Sequence, residues 1–364
     1  MKSTAKHSNI LLDDDDIMLF EILPRLPLRS LGLCLQAMAL VANNACVYQD
    51  APPPSKQSNH PKQLLVPTTK PYKYFRTMDC ETPEAGLSAN RPIPFRANEM
   101  SVISSLNGVV CVGILSSQVG GEEKYSNIIL WNPLTGDYKT LPKDDNSHAN
   151  AFTIPAIGYG FYYSCCDNDY KLLRVTQSGD AYIYSLNSDS WRKVKSTSCC
   201  LFEDWCLSCL LNENLCFLVQ GKSQTGKWSC LIIRFNTKTD KFTEIAAPPF
   251  QYTTVGPSLT VVRGRVHFIE SWYRLVVWKM EGDGEWTKVG FYWDEPYNLV
   301  FSQALHLMKN GNWLMGSEVR GYVHKVDIEM KTEKEVRVYN TATDGFMDIL
   351  RRGKFVETIV SLKR

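Results

Sequence analysis

The sequence predicts a mainly β protein: a β-propeller of about five or six blades, preceded by a small α-helical segment. From residue 101 onward, short runs of β-branched and aromatic residues alternate with clusters of Asn, Gly, Asp and Thr, which is typical of an all-β domain. Within this region an apolar run, a polar turn and an aromatic residue recur at intervals of about 50 residues. One small sheet cannot bury both of its faces, whereas several sheets stacked around an axis can, so the repeat favours a propeller.

The repeated unit keeps a nearly fixed spacing between two aromatic residues. In three copies an aromatic before the turn and an aromatic after it are seven residues apart, and in a fourth copy they are eight apart. These pairs are Trp131 and Tyr138, Tyr184 and Trp191, Phe235 and Phe242, and Trp278 and Trp286. The repeat period is close to that of kelch repeats, so we expect a kelch-like propeller whose turn tryptophans pack between blades. The strand-like segment 355–362 is expected to pair with early strands and close the ring.

The composition divides the chain into four zones. These are residues 1–12, an N-terminal tail; 13–47, a helical segment; 48–100, a Pro-rich linker or loosely ordered edge; and 101–364, the propeller. The helical prediction starts from the aspartate run 13–16, because carboxylates stabilise the first turn of a helix. Apolar residues then recur three positions apart, which places them along one helix face. They are Ile17, Phe20, Leu23 and Leu26.

Charge and hydropathy exclude several classes of protein. Lys and Arg number 40 against 38 Asp and Glu, so the basic excess typical of proteins that bind nucleic acid or anionic membranes is missing. The longest apolar run, Leu31–Val41, is shorter than the roughly 20 residues that cross a bilayer. We expect no partner that is a nucleic acid or a membrane. The acidic N-terminus and the twelve scattered cysteines favour a protein with reduced thiols, in the cytoplasm, the nucleus or both.

Motifs that carry chemistry are weak in this chain. Cys206 and Cys209 have one half of a zinc-knuckle spacing, but a second such pair is missing, so packed thiols are the favoured interpretation. The segment 221–227 has the glycine and lysine spacing of a phosphate loop, but Trp228 stands where a Ser or Thr is needed, and we interpret it as a hairpin turn. We therefore expect no catalytic residue, no metal and no cofactor. An enzyme whose site is assembled from distant loops is the third-ranked hypothesis.

Residues 20–31 resemble the opening of an F-box. They read Phe-Glu-Ile-Leu-Pro-Arg-Leu-Pro-Leu-Arg-Ser-Leu, and the F-box pattern is Glu-Ile-Leu-X-Arg-Leu-Pro-X-Lys-Ser-Leu. Later segments resemble, in order and spacing, the F-box-associated propeller of plant F-box proteins. These segments are Ser105–Cys111, Leu130–Gly136, Gly158–Phe161, Asp169–Lys171 and Tyr184–Ser188. The chain is therefore similar to plant F-box proteins with an F-box-associated, kelch-like β-propeller.

The resemblance implies a substrate-recognition subunit of an SCF-type cullin-RING ubiquitin ligase, which is a receptor and not an enzyme. Such a subunit binds a Skp-type adaptor through the F-box, reaches a cullin through the adaptor, and holds a target protein on the propeller. The residues expected to bind the adaptor are Ile22, Leu23, Leu26, Pro27, Leu28 and Leu31. The alternative is a non-ligase propeller interaction scaffold with a decayed F-box, because residues 33–44 lack the Lys and Trp of the usual pattern.

Aromatic residues in four segments are candidates for target binding. The segments are 162–168, 221–228, 271–274 and 292–297, which we expect to be loops that expose aromatic side chains at their tips. Exposed aromatics commonly anchor protein interfaces. The predicted anchors are Tyr162, Trp272, Tyr273, Trp293 and Tyr297. The alternatives are ordinary surface exposure and packing between blades.

Overall fold

The computed structural model describes most of the chain that follows residue 60. The chain divides into two compact units, Met1–Gln49 and Asp50–Arg364, and every described residue belongs to the second. The predicted tail and F-box-like segment, with all six predicted adaptor-binding residues, lie outside the described residues. The described residues are 61–67, 71–115, 125–142, 156–176, 178–194, 204–222, 228–249, 257–271, 274–282, 284–293, 301–317, 322–339, 347–355 and 362.

Six antiparallel sheets of four strands each build the described domain, and we number them as blades I to VI. Blade I contains β4 (Met100–Leu106), β5 (Val109–Leu115), β6 (Tyr125–Trp131) and β7 (Tyr138–Thr140). Blade II contains β8 (Ala156–Ser164), β9 (Asp169–Thr176), β10 (Ala181–Ser185) and β11 (Ser190–Val194). Blade III contains β12 (Asp204–Leu211), β13 (Asn214–Lys222), β14 (Trp228–Asn236) and β15 (Lys241–Ala246).

The remaining blades have the same meander, and the last one joins the two ends of the domain. Blade IV contains β16 (Ser258–Val262), β17 (Arg265–Ser271), β18 (Arg274–Met280) and β19 (Trp286–Trp293). Blade V contains β20 (Phe301–Leu307), β21 (Trp313–Ser317), β22 (Tyr322–Asp327) and β23 (Thr332–Arg337). Blade VI contains β24 (Met347–Phe355), β1 (Lys62–Pro67), β2 (Tyr72–Asp79) and β3 (Arg91–Ala97), in that order across the sheet.

The first strands of the six sheets form a closed ring. Strands β4, β8, β12, β16 and β20 contact one another in succession, and β24 contacts both β20 and β4. Strand β24 pairs antiparallel with β1, with Leu65 opposite Ile349. This arrangement confirms the predicted mainly β propeller and gives it six blades, while its kelch-like character stays a prediction. A C-terminal strand, Met347–Phe355, closes the ring. Of the predicted closing segment 355–362, residues 356–361 lie outside the described residues.

The prediction of a linker or loosely ordered edge over residues 48–100 is wrong from residue 61 onward. Strands β1, β2 and β3 of blade VI occupy much of this range, and a 3-10 helix at Pro83–Ala85 connects the last two. The prolines occupy positions that need no backbone N–H: Pro67 ends β1, and Pro92 and Pro94 lie in the outer strand β3. Proline is tolerated at such strand ends and edges, so its abundance here does not indicate a linker.

Burial follows the position of each strand in its sheet. The second strand β5 is buried along both faces, as its unbroken apolar run predicts. The outer strand β3 instead alternates, burying Ile93, Phe95 and Ala97 while exposing the residues between them. Between blades II and III the packing requires Gly160, because a Cβ there would lie 2.7 Å from Leu215 Cδ1. The blades are therefore held together by close-packed apolar faces.

The repeated aromatic spacing is a cross-strand pairing in three of the four copies. Trp131 lies opposite Tyr138, Tyr184 opposite Trp191, and Phe235 opposite Phe242. In the fourth copy the turn lies further from the first aromatic, so Trp278 lies opposite Lys288 and Trp286 lies opposite Met280. Seven-residue spacing thus marks two aromatics opposite each other across one turn, whereas the eight-residue spacing marks two aromatics offset by two residues across a longer hairpin.

No helix in the described ranges is long and apolar enough to cross a membrane.

Candidate partner-binding faces of the propeller

The strand order gives the propeller two faces with different connections. Because adjacent strands within each sheet run antiparallel, the turns from first to second strand and from third to fourth strand all open at one end, which we call the turn face. The connections from second to third strand, and from one blade to the next, start and end at the opposite end, which we call the connection face. Loops on one face of a rigid scaffold are the usual place for partner binding.

Aromatic residues are distributed unequally between the two faces. The segments that join strands on the turn face contain no Phe, Tyr or Trp in their sequences. Some are tight two-residue turns, such as Asn107-Gly108, where both residues have positive φ. The sequences that join strands on the connection face contain Phe152, Phe202, Phe250, Tyr252, Trp272, Tyr273, Tyr297, Tyr339 and Phe346. By sequence and topology, the aromatic connections therefore belong to the connection face.

The predicted target-binding residue Tyr162 does not lie at an exposed tip. Its side chain is 1% exposed, in strand β8, within a core cluster that includes Leu215 and Phe217 of blade III. Successive side chains of a strand point to opposite faces of the sheet. Tyr162 therefore points into the junction between blades, whereas the hydroxyl of its neighbour Tyr163 donates a hydrogen bond to Asn168 in the adjacent turn. Burial, together with the nearby Asp240 charge, raises the pKa of Tyr162 well above its usual value. The prediction of an exposed anchor is wrong here.

The other four predicted anchors lie at or directly beyond the described ends of two strands of blade IV. Trp272, Tyr273 and Tyr297 lie outside the described residues, and they follow β17 and β19 directly in sequence. Trp293 is the last residue of β19, and its side chain is not among those described. Strands β17 and β19, which precede these residues, both end at the connection face, whereas the segment 165–168 after Tyr162 lies on the turn face. Their role in binding stays a prediction.

Two acidic residues of the turn face form ion pairs with basic residues of the preceding blade. Lys139 Nζ of blade I lies 2.8 Å from Asp189 Oδ2 in a blade II turn, and Arg192 Nη1 of blade II lies 2.8 Å from Asp240 Oδ2 of blade III. The Lys139 ammonium lowers the pKa of Asp189, to which the Tyr184 hydroxyl also donates. These pairs were not predicted, although the sequence has a signal for them, a basic residue directly after the turn aromatic in Tyr138-Lys139 and Trp191-Arg192.

The turn tryptophans link neighbouring blades, as the sequence predicts. Trp131 is fully buried, and its ring meets Phe75 and Phe95 of blade VI edge-on, with centroids 4.8 and 5.4 Å away. Trp191 and Trp286 each donate the indole N–H to a backbone carbonyl of the preceding blade. Trp278 differs, since its indole donates to Glu270 within its own sheet. These tryptophans therefore stabilise the propeller by packing and by hydrogen bonds.

The motif residues Asp169 and Tyr184–Ser188 also act in folding. The Asp169 carboxylate is 1% exposed, accepts a hydrogen bond from Ser185 Oγ at 2.6 Å and another from the Asn187 backbone N–H at 2.9 Å. It thus holds the turn between the third and fourth strands of blade II. Its burial in this role leaves it no access to a partner.

The cysteine and glycine motifs form hairpins in blade III. Cys209 lies opposite Cys216, and a hydrogen bond with Cys216 together with burial raises the pKa of the Cys209 thiol well above its usual value. Such a thiol is a poor nucleophile and a poor metal ligand. The segment 221–227 joins β13 to β14, with Lys222 opposite Trp228, as a hairpin requires. Among the described residues, no group of three or more His, Cys, Asp or Glu is placed to hold a metal ion.

Comparisons with known proteins agree with this fold. The family model described as the F-box associated beta propeller domain matches residues 99–289. F-box protein At3g19890 of Arabidopsis thaliana is 26% identical over 130 residues, which are 35% of this chain and 30% of that protein. F-box protein ETP2 of the same plant is 22% identical over 253 residues, 65% of this chain and 63% of that protein. The chain covers less than two thirds of the length of each of these curated relatives.

A solved structure of a Bacteroides thetaiotaomicron protein of unknown function aligns with 77% of this chain and 80% of its own, at 12% identity and a TM-score of 0.40. The family match, in contrast, spans more than half of the chain. It covers blades I to III and most of blade IV, including the repeated turns and their aromatic pairs. The chain belongs to the family of proteins that carry an F-box associated beta propeller domain.

Proposed function

We propose that this protein is the substrate-recognition subunit of an SCF-type cullin-RING ubiquitin ligase in the cytoplasm, the nucleus or both. Residues 13–47 bind a Skp-type adaptor, and the adaptor connects the chain to a cullin. The propeller holds a target protein, and the chain performs no chemistry of its own. The observation that carries the proposal is the F-box associated propeller match over residues 99–289, in a chain whose residues 20–31 resemble an F-box.

The adaptor-binding surface is proposed from the spacing of apolar residues. Leu23 and Leu26 are three positions apart, as expected for one face of an amphipathic helix that enters an apolar groove of a partner. The complete set is Ile22, Leu23, Leu26, Pro27, Leu28 and Leu31. That the relatives are named F-box proteins supports this part of the proposal.

The target-binding surface is proposed to be the connection face. On the turn face, Asp189 and Asp240 form ion pairs between blades, and the turn sequences contain no aromatic residue. The connection face has the aromatic residues, and aromatic side chains are enriched among the residues that dominate interface energies. We propose Trp272, Tyr273, Trp293 and Tyr297 as anchors on this face, and Tyr162 is removed from the set because it is buried.

Adaptor binding is the direct test of the ligase assignment. The full-length chain, the double variant Leu23→Asp with Leu26→Asp, and the control Met330→Asp are each mixed with a purified Skp-type adaptor. Met330 is 72% exposed, so its variant introduces an acid in place of an apolar side chain without disturbing the core. We expect the unaltered chain and the control to retain the adaptor, and the double variant to lose it. Failure of the unaltered chain to bind at high concentration overturns the ligase assignment.

The second candidate function is a non-ligase interaction scaffold whose F-box has decayed. It is favoured by one observation, the absence of Lys and Trp from residues 33–44, where the usual F-box pattern has both. In that case no adaptor binds, and the Leu23→Asp and Leu26→Asp variant captures the same partners as the unaltered chain. Loss of an adaptor from the captured set in the variant rules this candidate out.

A further inference from the structure

Two consecutive cysteines, Cys165 and Cys166, lie in the turn that joins β8 to β9 of blade II on the turn face. Both are in the thiol form. Cys166 is exposed and Cys165 is half-buried, whereas every other cysteine in the described ranges is buried or half-buried. The turn therefore presents to the solvent two sulfur atoms that are neighbours in the chain.

A positive charge lies beside this pair of thiols. Lys238, in a turn of blade III, has its pKa raised by its hydrogen bond to Glu213 and, to a smaller extent, by the charges of Cys166 and Cys165. The acidic neighbours Asp167 and Glu213 are each paired with a lysine. Reactive cysteines lie in partly exposed surroundings with a cation nearby, and this pair has both features.

Hydrogen bonds hold the second half of the turn in place. Ser164 Oγ donates to Asp167 Oδ2 at 2.9 Å. Asn187 Nδ2 donates to the backbone carbonyls of Asp167 and Asn168 at 3.2 and 3.3 Å. The pairing of β8 with β9 ends where Ser164 lies opposite Asp169. The first half of the turn, which contains the two cysteines, lies beyond that pairing, so its backbone can adjust without breaking the sheet.

We propose that Cys165 and Cys166 are a site of reversible oxidation, at which hydrogen peroxide converts the two thiols into a disulfide. The thiolate of the more exposed Cys166 attacks one peroxide oxygen, the O–O bond breaks, hydroxide leaves and a sulfenic acid forms. The Cys165 thiolate then attacks the Cys166 sulfur, so that the S–S bond forms, the S–O bond breaks and a second hydroxide leaves. The two thiols lose two electrons and two protons in total, and the peroxide is reduced to two water molecules.

The spacing of the two cysteines makes this disulfide a reversible one. A trans peptide bond places the Cα atoms of adjacent residues about 3.8 Å apart. Disulfides usually join Cα atoms that are about 4.4 to 6.8 Å apart, so a disulfide between adjacent residues is strained. Strained and exposed disulfides are the ones that cellular thiols reduce most readily. The pair is thus suited to a regulatory disulfide, and this inference stands independently of the ligase assignment.

Peptide mass spectrometry of the full-length chain tests the proposal. The chain is treated with hydrogen peroxide, quenched and unfolded, and its remaining thiols are alkylated before digestion. We expect the peptide that contains Cys165 and Cys166 to lose two hydrogens in mass and to lose alkylation, and dithiothreitol to restore both. Cys111 is the internal control: it is fully buried, and burial raises the pKa of its thiol well above the usual value, so it should stay alkylated.

Three results of this experiment overturn the proposal. In the first, both cysteines stay fully alkylated after peroxide treatment. In the second, Cys166 forms a disulfide with a cysteine other than Cys165. In the third, Cys166 is oxidised to a sulfinic acid and no disulfide forms.

Single variants separate the roles of the two thiols. In Cys165→Ser the second step is blocked, so we expect the Cys166 sulfenic acid to persist and to be labelled by a dimedone probe. In Cys166→Ser the more exposed thiol is missing, and dimedone labelling of Cys165 should be severalfold lower. The control Cys230→Ser, which removes a half-buried cysteine of β14, should form the disulfide as the unaltered chain does. Absence of label on Cys166 in Cys165→Ser contradicts the proposed order of steps.

Discussion

Trp191 of blade II donates its indole N–H to the backbone carbonyl of Pro142, just after the outer strand of blade I, over 2.8 Å. Trp286 of blade IV does the same to Ala246 of blade III at 2.9 Å. The aromatic after each of these turns therefore joins its blade to the preceding one. This explains why the repeat has an aromatic there and why the sequence signal of a propeller includes it.

Replacing Trp191 by Phe keeps an aromatic ring and removes the indole donor. We expect the free energy of unfolding to fall by about 1 kcal/mol, because the Pro142 carbonyl loses its partner in a half-buried site. Trp191→Ala also removes the ring that packs on Tyr184, with centroids 5.4 Å apart, and should cost more. Urea-induced unfolding measures both. Equal stability of the Phe variant and the unaltered chain would show that the hydrogen bond contributes nothing.

Gly160→Ala is expected to destabilise the propeller by about 1 to 3 kcal/mol, as overpacking of a close-packed junction does. The added Cβ would lie 2.7 Å from Leu215 Cδ1 and 2.9 Å from Phe217 Cζ across the junction of blades II and III. Thermal unfolding measures the loss. In the double variant with Leu215→Ala the two losses should be less than additive, because the cavity accommodates the methyl group. Strict additivity would contradict the contact.

Asp169→Ala is expected to cost about 2 kcal/mol, since two hydrogen bonds to a buried carboxylate are lost. The partners are Ser185 Oγ and the Asn187 N–H, and Asp169 is 1% exposed. Asp167→Ala in the neighbouring turn is the matched control, because that carboxylate is half exposed and its pairing with Lys171 is a surface ion pair. Chemical denaturation of both variants should separate them. Equal losses of stability in the two variants would show that the buried carboxylate of Asp169 does not hold this turn.

Glu81 gives the junction of blades V and VI a dependence on pH. Burial opposes ionisation, yet hydrogen bonds from His306 Nε2 and the Lys309 N–H outweigh it and lower the pKa of Glu81 below its usual 4.5. A carboxyl group whose pKa is lowered by folding stabilises the folded state above its unfolded pKa, and this contribution is lost as the pH falls through the folded pKa.

Glu81→Gln should therefore reduce stability by about 1 kcal/mol near neutral pH and have little effect below the folded pKa of Glu81. Thermal unfolding as a function of pH measures the difference between the variant and the unaltered chain. The exposed carboxylate of Glu335 supplies the control Glu335→Gln, expected to show a smaller effect. A difference that is constant from acid to neutral pH would contradict the role of ionised Glu81.

The fold could be predicted from the sequence where the spacing between two aromatic residues can arise from only one arrangement of strands. The pair Phe235 and Phe242 is seven residues apart because two strands and one turn place them opposite each other. The pair Trp278 and Trp286 looked equivalent, but the turn lies further from Trp278, so Trp286 lies opposite Met280, and the sequence does not mark where that turn begins. The prolines of β3 suggested a linker because their tolerance at a sheet edge depends on knowing which strand is outermost.

The sequence predicts which residue types belong to the candidate site, but not whether each one is buried or on which face it lies. Tyr162 and Tyr163 are adjacent and chemically alike, and only the register of β8 against β9 and the packing of blade III decide that Tyr162 is buried. The assignment of Trp272 and Tyr297 to the connection face required the ends of β17 and β19. Sequence alone therefore gave the aromatic candidates, while the strand order was needed to separate the two faces.

The central claim is that adaptor binding and target binding reside in different parts of the chain, and one capture experiment with quantitative mass spectrometry tests it. The full-length chain, the variant Trp272→Ala with Tyr273→Ala, and a turn-face control, Lys309→Ala, are expressed in plant cells with the proteasome inhibited. We predict that all three capture a Skp-type adaptor and a cullin, and that only the Trp272 and Tyr273 variant loses the captured target. The claim would be contradicted if all three chains captured the target, or if none of them captured an adaptor.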